Sequence, residues 1–260
     1  MMNNQWIKRL IVAAALPLAA CGGTDTVVED REVSVETMPV NGDTLGFWIM
    51  QTETCTDGAA AICINDNSPY SNDLVLQDAS LQPVAERYME RGNSDIGGKI
   101  IQINADGEAV PAQLRTPEDS LFAATPIGEV FAIHLRFKPA AGEALQTLMS
   151  LGTGVFNVET GSASVVVQFP AQGKRLLLPL DGPERWNELY VASDGQNVSL
   201  QLNCENGPGF GKTAGAPMLA RAASELMLGA RPTVPASEHF SGQVDMLRVS
   251  RVNEANLFCQ

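Results

Sequence analysis

Between Val130 and Lys138 the chain alternates without a break. Phe131, Ile133, Leu135 and Phe137 fall on one side, and Ala132, His134, Arg136 and Lys138 on the other. A period of two belongs to a β-strand, and one apolar side with one polar side belongs to a sheet buried on one face. Val198, Leu200 and Leu202 repeat the pattern against Ser199, Gln201 and Asn203. Further runs of strand character are Leu45–Gln51, Asp73–Gln77, Lys99–Asn104, Ala163–Phe169, Arg175–Leu180, Glu188–Ala192, Glu225–Leu228 and Val244–Ser250. Turn signals such as Asp106-Gly107, Ala141-Gly142, Asp181-Gly182-Pro183 and Asp194-Gly195 separate many of them. The best helix candidates, Pro83–Arg91 and Leu219–Leu226, are short. Half-buried strands pair antiparallel and stack in two layers, so the predicted fold is all-β, a two-sheet antiparallel β-sandwich. A chain of 260 residues with 45% hydrophobic content buries such a core as one domain.

The start of the chain stands apart. Lys8 and Arg9 precede Leu10–Ala20, an apolar run interrupted only by Pro17 and too short to cross about 30 Å of hydrocarbon. Residues 1–20 therefore read as a signal peptide. They end in Leu18-Ala19-Ala20-Cys21-Gly22, which resembles the lipobox of bacterial lipoproteins. That resemblance implies a lipidated Cys21 and, with Gly22 rather than Asp next, an outer-membrane lipoprotein. No other stretch approaches 18 apolar residues, so the lipid is the expected membrane attachment. The segment 21–43 carries six acids (Asp25, Glu29, Asp30, Glu32, Glu36, Asp43) against Arg31 and reads as a solvated tether, which leaves 44–260 for the sandwich. From Cys21 onward there are 15 basic and 30 acidic residues, a net charge of −15, which argues against nucleic acid as a partner.

Cys55, Cys63, Cys204 and Cys259 follow Cys21. Four cysteines in an exported chain suggest two disulfides, and three pairings are open. The simplest closes the turn-like loop between Cys55 and Cys63 and leaves Cys204 for Cys259. Zinc spacings of the CxxC or HxxxH kind do not occur. Gly207–Thr213 imitates a phosphate-binding loop, but Asn206 stands where its first Gly belongs, so no nucleotide is expected.

The strand order resembles the laminin-G-like branch of the concanavalin A-like lectin/glucanase superfamily. The opening strand Leu45-Gly46-Phe47-Trp48 precedes an Asp66-Asn67-Ser68 turn and Asn72-Asp73-Leu74; Phe131–Pro139 follows later. Trp186 to Val191, Asp194-Gly195, Val198–Asn203 and the closing Phe240-Ser241-Gly242-Gln243-Val244-Asp245 with Arg248-Val249 complete the pattern. Arg136 replaces a family Trp, and Cys204 replaces a Gly.

The fold hosts lectins, glucanases, lyases and interaction modules, so function has to come from a site. No Asp has a Glu two positions before it, which removes the E-x-D-x-x-E glucanase pair. Ala132-Ile133-His134 imitates a lyase strand, without the Tyr-rich partner strand. The expected function is a lipid-anchored, non-catalytic carbohydrate-binding module; the alternatives are a protein-interaction or structural envelope module and, behind both, a hydrolase or lyase. Aromatic residues are only 6% of the chain, leaving Tyr70, Tyr88 and a few Phe as sugar platforms. The expected ligand face is the polar side of the 130–138 strand, where His134, Arg136 and Lys138 would stand about 7 Å apart and attract carboxylated or sulfated polysaccharide.

Asp245 shares the parity of Leu247 and Val249, so alternation turns it inward, where a carboxylate needs an Arg, backbone N–H groups or a metal. The resemblance implies a structural Ca²⁺ there, with Glu53 and Asp106 as further oxygen donors. If calcium is held, millimolar Ca²⁺ raises the melting midpoint of the wild type and not of Asp245→Ala. Equal midpoints in Ca²⁺ and EDTA count against the site.

Overall fold

Apolar residues at every second position make strands, and here they make almost nothing else. The computed structural model describes residues 38–55, 62–77, 88–104, 113–117, 120, 127–142, 144–180, 182–213, 225–231 and 238–252. In chain order the first strands are β1 (Thr44–Trp48), β2 (Thr52–Thr54), β3 (Ile62–Ile64), β4 (Leu74–Gln77), β5 (Tyr88–Asn93), β6 (Lys99–Ile103), β7 (Gln113–Arg115), β8 (Val130–Pro139) and β9 (Gln146–Leu151). They continue with β10 (Phe156–Thr160), β11 (Ser164–Phe169), β12 (Lys174–Pro179), β13 (Asn187–Asp194), β14 (Asn197–Leu202), β15 (Glu205–Asn206), β16 (Phe210–Gly211), β17 (Leu226–Leu228) and β18 (Gly242–Ser250).

Two antiparallel nine-stranded sheets result. The front sheet runs β15-β14-β13-β8-β18-β6-β5, with β1 also on β18 and β16 on β14; the back sheet runs β12-β11-β10-β9-β17-β7-β4-β3-β2. Between them, Phe131, Ile133, Leu135 and Phe137 of β8 meet Phe156, Val158, Val165, Val167 and Phe169. The Phe156 and Phe169 rings lie edge to face, 5.2 Å apart.

The opening strand is locked from one side by polar contacts. Asp66 Oδ1 accepts from the N–H groups of Phe47 (2.7 Å) and Ser68 (2.8 Å), and Oδ2 accepts from that of Asn72 (2.8 Å). Trp48 is fully buried and donates its indole N–H to the Asn72 carbonyl at 3.0 Å. Its ring lies over Gly46, where a Cβ would come within 2.1 Å of the ring.

All ten strands read from the sequence are present, with ends displaced by at most a few residues. Central strands β9 and β10 were not among them. Of the expected helix Pro83–Arg91, the part from Tyr88 on is strand β5, because it pairs with β6; the earlier part lies outside the described residues, as does most of Leu219–Leu226. The expected tether also ends earlier than Asp43. Met38 is buried against the front sheet, and the Asp43 carbonyl accepts from the Arg251 N–H at 2.8 Å.

Cys55 and Cys63 form a disulfide, with Cα atoms 5.1 Å apart, and join β2 to β3 at the sheet edge. Cys204 is also disulfide-bonded. Its expected partner Cys259, like Cys21, lies outside the described residues. Phe210-Gly211, within the phosphate-loop lookalike, pairs with Val198 and Asn197 as an edge of the front sheet.

Gly46→Ala forces the Trp48 ring from its seat and lowers stability by about 1–3 kcal/mol. Urea unfolding with a wild-type midpoint would contradict this packing.

Candidate functional site

The expected ligand face is the outer side of the front sheet, and the fold closes it. Met38, Phe47, Ile96, Ala132, Tyr190, Ala192 and Met246 form a second hydrophobic cluster there. His134 is 3% exposed and Arg136 7% exposed; only Lys138 of the expected row is partly open. The alternation of β8 is real, yet its polar side faces a covering layer instead of solvent.

Arg136 is consumed internally. Its guanidinium donates to Asp95 at 2.6 and 3.0 Å, pairs with Asp245, lies 3.6 Å from Glu188 and stacks 4.8 Å from the centre of the Trp186 ring. Burial works against its charge, but the hydrogen bond to Asp95 and the charge of Asp245 outweigh it, and its pKa rises. The Arg136 hydrogen bond lowers the pKa of Asp95. Arg248 is spent in the same way: it donates to the Pro39 carbonyl (2.8 Å), Thr44 Oγ1 (3.2 Å) and Ser250 Oγ (3.3 Å), over the Phe47 ring. His134 meets Tyr190 edge to face at 6.1 Å, and burial, helped by the charges of Arg248 and Arg136, lowers its pKa to about 3.

Asp245 does not face the core, contrary to its parity. A bulge between Val244 and Met246 inserts one residue where β18 changes neighbours from β6 to β1. The extra residue returns Asp245 to the outer face, onto Arg136. Arg136 is the cation that this carboxylate meets. Burial still raises its pKa, against a hydrogen bond with Ser94 and the charge of Arg136. Glu53 lies on edge strand β2 of the other sheet, and Asp106 is outside the described residues. Among the described residues no three His, Cys, Asp or Glu side chains gather as a metal site.

The outer side of the back sheet is open at its β12 edge and buried over β9 and β10. Register aligns Arg175, Gln168, Asn157 and Ser150 in one row across β12, β11, β10 and β9, and Leu177, Val166, Glu159 and Thr147 in the next. Glu159 accepts from Gln168 Nε2 and from Arg231, each at 2.7 Å, and Arg231 also reaches Glu238 at 3.3 Å. Leu177 is 53% exposed and Arg175 is exposed, while Asn157 is 4% exposed. None of these residues stood out in the sequence. Their signal was present, since Asn157 and Glu159 alternate with Phe156 and Val158, but rows across strands emerge only from the register.

The fold is that of a two-sheet antiparallel β-sandwich. The chain is similar to the binding domain of botulinum neurotoxin DC in complex with rat synaptotagmin II, at TM-score 0.57 and 8% identity over 84% of this chain and 51% of that one. A structure of botulinum neurotoxin type C, whose cell entry is described as dependent upon interaction with two ganglioside molecules, matches at TM-score 0.57 and 9% identity, over 84% and 50%. The chain thus spans about half the length of these relatives, and the likeness is one of fold. A Ruminococcus gnavus sialidase carbohydrate-binding module bound to α2,3-sialyllactose matches at TM-score 0.42 and 18% identity, over 48% and 77%. No family model matches the chain, and no curated protein does.

Arg136→Ala leaves Asp245 buried without its cation and costs about 3–5 kcal/mol. Adding Asp245→Asn restores part of this, a coupling that a double-mutant cycle measures; strict additivity would refute the pair. His134 is neutral when folded and binds a proton near pH 6.5 when unfolded, so its share of stability is lost as pH falls below about 6.5. Asp245, with its raised pKa, acts in the opposite sense at lower pH. Between pH 7 and pH 5 the wild type therefore loses about 2 kcal/mol more than His134→Gln. Parallel pH profiles of the two proteins would refute this.

Proposed function

We propose that the chain is a lipid-anchored cell-envelope protein whose sandwich binds carbohydrate without altering it. One observation carries the reading: with the outer face of the front sheet sealed over His134 and Arg136, the open part of the other outer face offers exposed Arg175, half-buried Gln168 and the Arg231–Glu238 pair as donors and acceptors. Hydroxyl-rich ligands require this mixture of donors and acceptors. Sandwiches of the same fold that are described with gangliosides and with a sialylated ligand support it. The absence of chemistry rests on the missing glucanase motif, on the burial of His134, and on Arg231, which ties up both Glu159 and Glu238. The laminin-G-like resemblance agrees with this reading, and Cys21 supplies the anchor.

The mature chain is expected to give saturable binding to at least one member of a glycan array. Silence across the array, with an envelope protein co-purifying, would replace this function with protein interaction. Cys21→Ser is expected to move the protein from the detergent phase to the aqueous phase of a Triton X-114 partition. Unchanged partition would remove the anchor.

A further inference from the structure

The apolar cover of the front sheet ends at the row of Arg136. Resting on the carbohydrate reading, we infer that the next row out, Trp186, Lys138, Gln243 and Gln102, is a binding site where a neutral, hydroxyl-rich glycan stacks on the Trp186 ring.

Register builds the row. Lys138 of β8 stands opposite Gln243 of β18, and Gln243 stands opposite Gln102 of β6. Trp186 precedes β13 by one residue; because Asn187 pairs with Phe137, Trp186 comes beside Lys138. Phe137, Val244, Ile101 and Ile103 belong to the core, so alternation turns Lys138, Gln243 and Gln102 outward. The stack of Trp186 on outward-facing Arg136 puts its ring on the same side. At about 4.8 Å from strand to strand the row is roughly 14 Å long. All four residues are half-buried, whereas Ala132, His134, Arg136, Tyr190 and Met246 of the covered rows are buried.

The polar groups of this row are largely unspent. Among the described residues, the Trp186 indole N–H, the Lys138 ammonium and the Gln243 amide have no hydrogen-bond partner. Gln102 donates its amide N–H to the carbonyls of Gly242 (3.0 Å) and Ile103 (3.4 Å) and keeps Oε1 as an acceptor. Trp48 is the contrast, since it is fully buried and gives its N–H to Asn72. Trp186 is held without being covered. Arg136 takes one face of its ring, and Arg136 is fixed in turn by Asp95 and Asp245. A platform ordered before the ligand arrives loses little entropy on binding.

A sugar ring offers an apolar C–H face and a rim of hydroxyls. The Trp186 ring matches the first. Its indole N–H, Lys138 and the two amides match the second, with exposed Asp95 and half-buried Glu188 as acceptors beside them. Lys138 and Arg136 stand here with Asp95, Glu188 and Asp245, and the chain from Cys21 carries −15. A polyanion gains no net attraction from this balance, and a neutral chain needs none.

From Cys21 onward the chain holds two tryptophans, Trp48 and Trp186, so acrylamide quenching of its emission reports chiefly on Trp186. The test measures quenching and binding of the mature chain with neutral polysaccharides (laminarin, xyloglucan, galactomannan, dextran) and carboxylated ones (alginate, polygalacturonate). Trp186→Ala, Gln243→Ala and, on the back sheet, Arg175→Ala are compared. A neutral polymer is expected to bind tightest, to shield the emission from acrylamide, and to hold its affinity from 0.05 to 0.5 M salt. Trp186→Ala weakens it at least tenfold, and Gln243→Ala weakens it roughly fivefold, the worth of one hydrogen bond. Trp186→Ala also strips a neighbour from Arg136; if its melting midpoint falls, Gln243→Ala and the quenching of the wild type decide. Binding that leaves the emission open to acrylamide and survives Gln243→Ala overturns this inference and leaves the carbohydrate reading standing. Binding lost through Arg175→Ala alone, or a carboxylated polymer held best and released by salt, does the same. No binding across the panel and the glycan array overturns both.

Discussion

A carboxylate buried in the longest contact of the front sheet has to be matched by a cation, and Arg136 is that match for Asp245. The pair sits at the bulge where β18 exchanges β6 for β1 along the same side. Without the extra residue, the two halves of β18 would present opposite sides to the core. The bulge lets Val244, Leu247 and Val249 all point inward, and it sends Asp245 outward as the remainder. A buried ion pair of this kind adds little stability over an apolar pair, but breaking it is expensive, so it specifies one arrangement more than it strengthens it.

The same arrangement divides the molecule's two outer surfaces. On the front, Arg136 and Arg248 spend their hydrogen bonds on Asp95, Asp245, Pro39 and Thr44, and a layer of apolar side chains seals that part of the sheet. On the back, the polar side chains pair among themselves along the surface: Gln168 with Glu159, Arg231 with Glu159 and Glu238. The first set is the interior of a joint; the second is an ordered surface.

The strands of the front sheet were legible because β8, β13 and β14 alternate cleanly and Gly-containing turns bound them. β9 and β10 escaped because they flank Gly152 and Gly154 and carry Thr, Ser, Asn and Glu on their outer sides. The fate of His134 and Arg136 was not legible for a different reason. Alternation tells which side of a strand a residue occupies, but not whether another segment covers that side. Here the cover comes from Met38, Phe47 and Ile96, which lie 38 or more residues away in sequence. Asp245 was misplaced because a single-residue bulge inverts parity without leaving a mark in composition. The Cys55–Cys63 bridge, by contrast, needed only proximity in sequence.

The pairing of the first strand with the last has a kinetic side. Within its sheet, among the described residues, β1 bonds to β18 alone, Thr44 opposite Ser250, and Arg248 reaches back to Pro39 across 209 positions of sequence. Contacts of such separation form late, because the whole intervening loop has to close first. Among the described residues, a strand made early in the chain therefore gains its ladder partner only when nearly all the rest has been made.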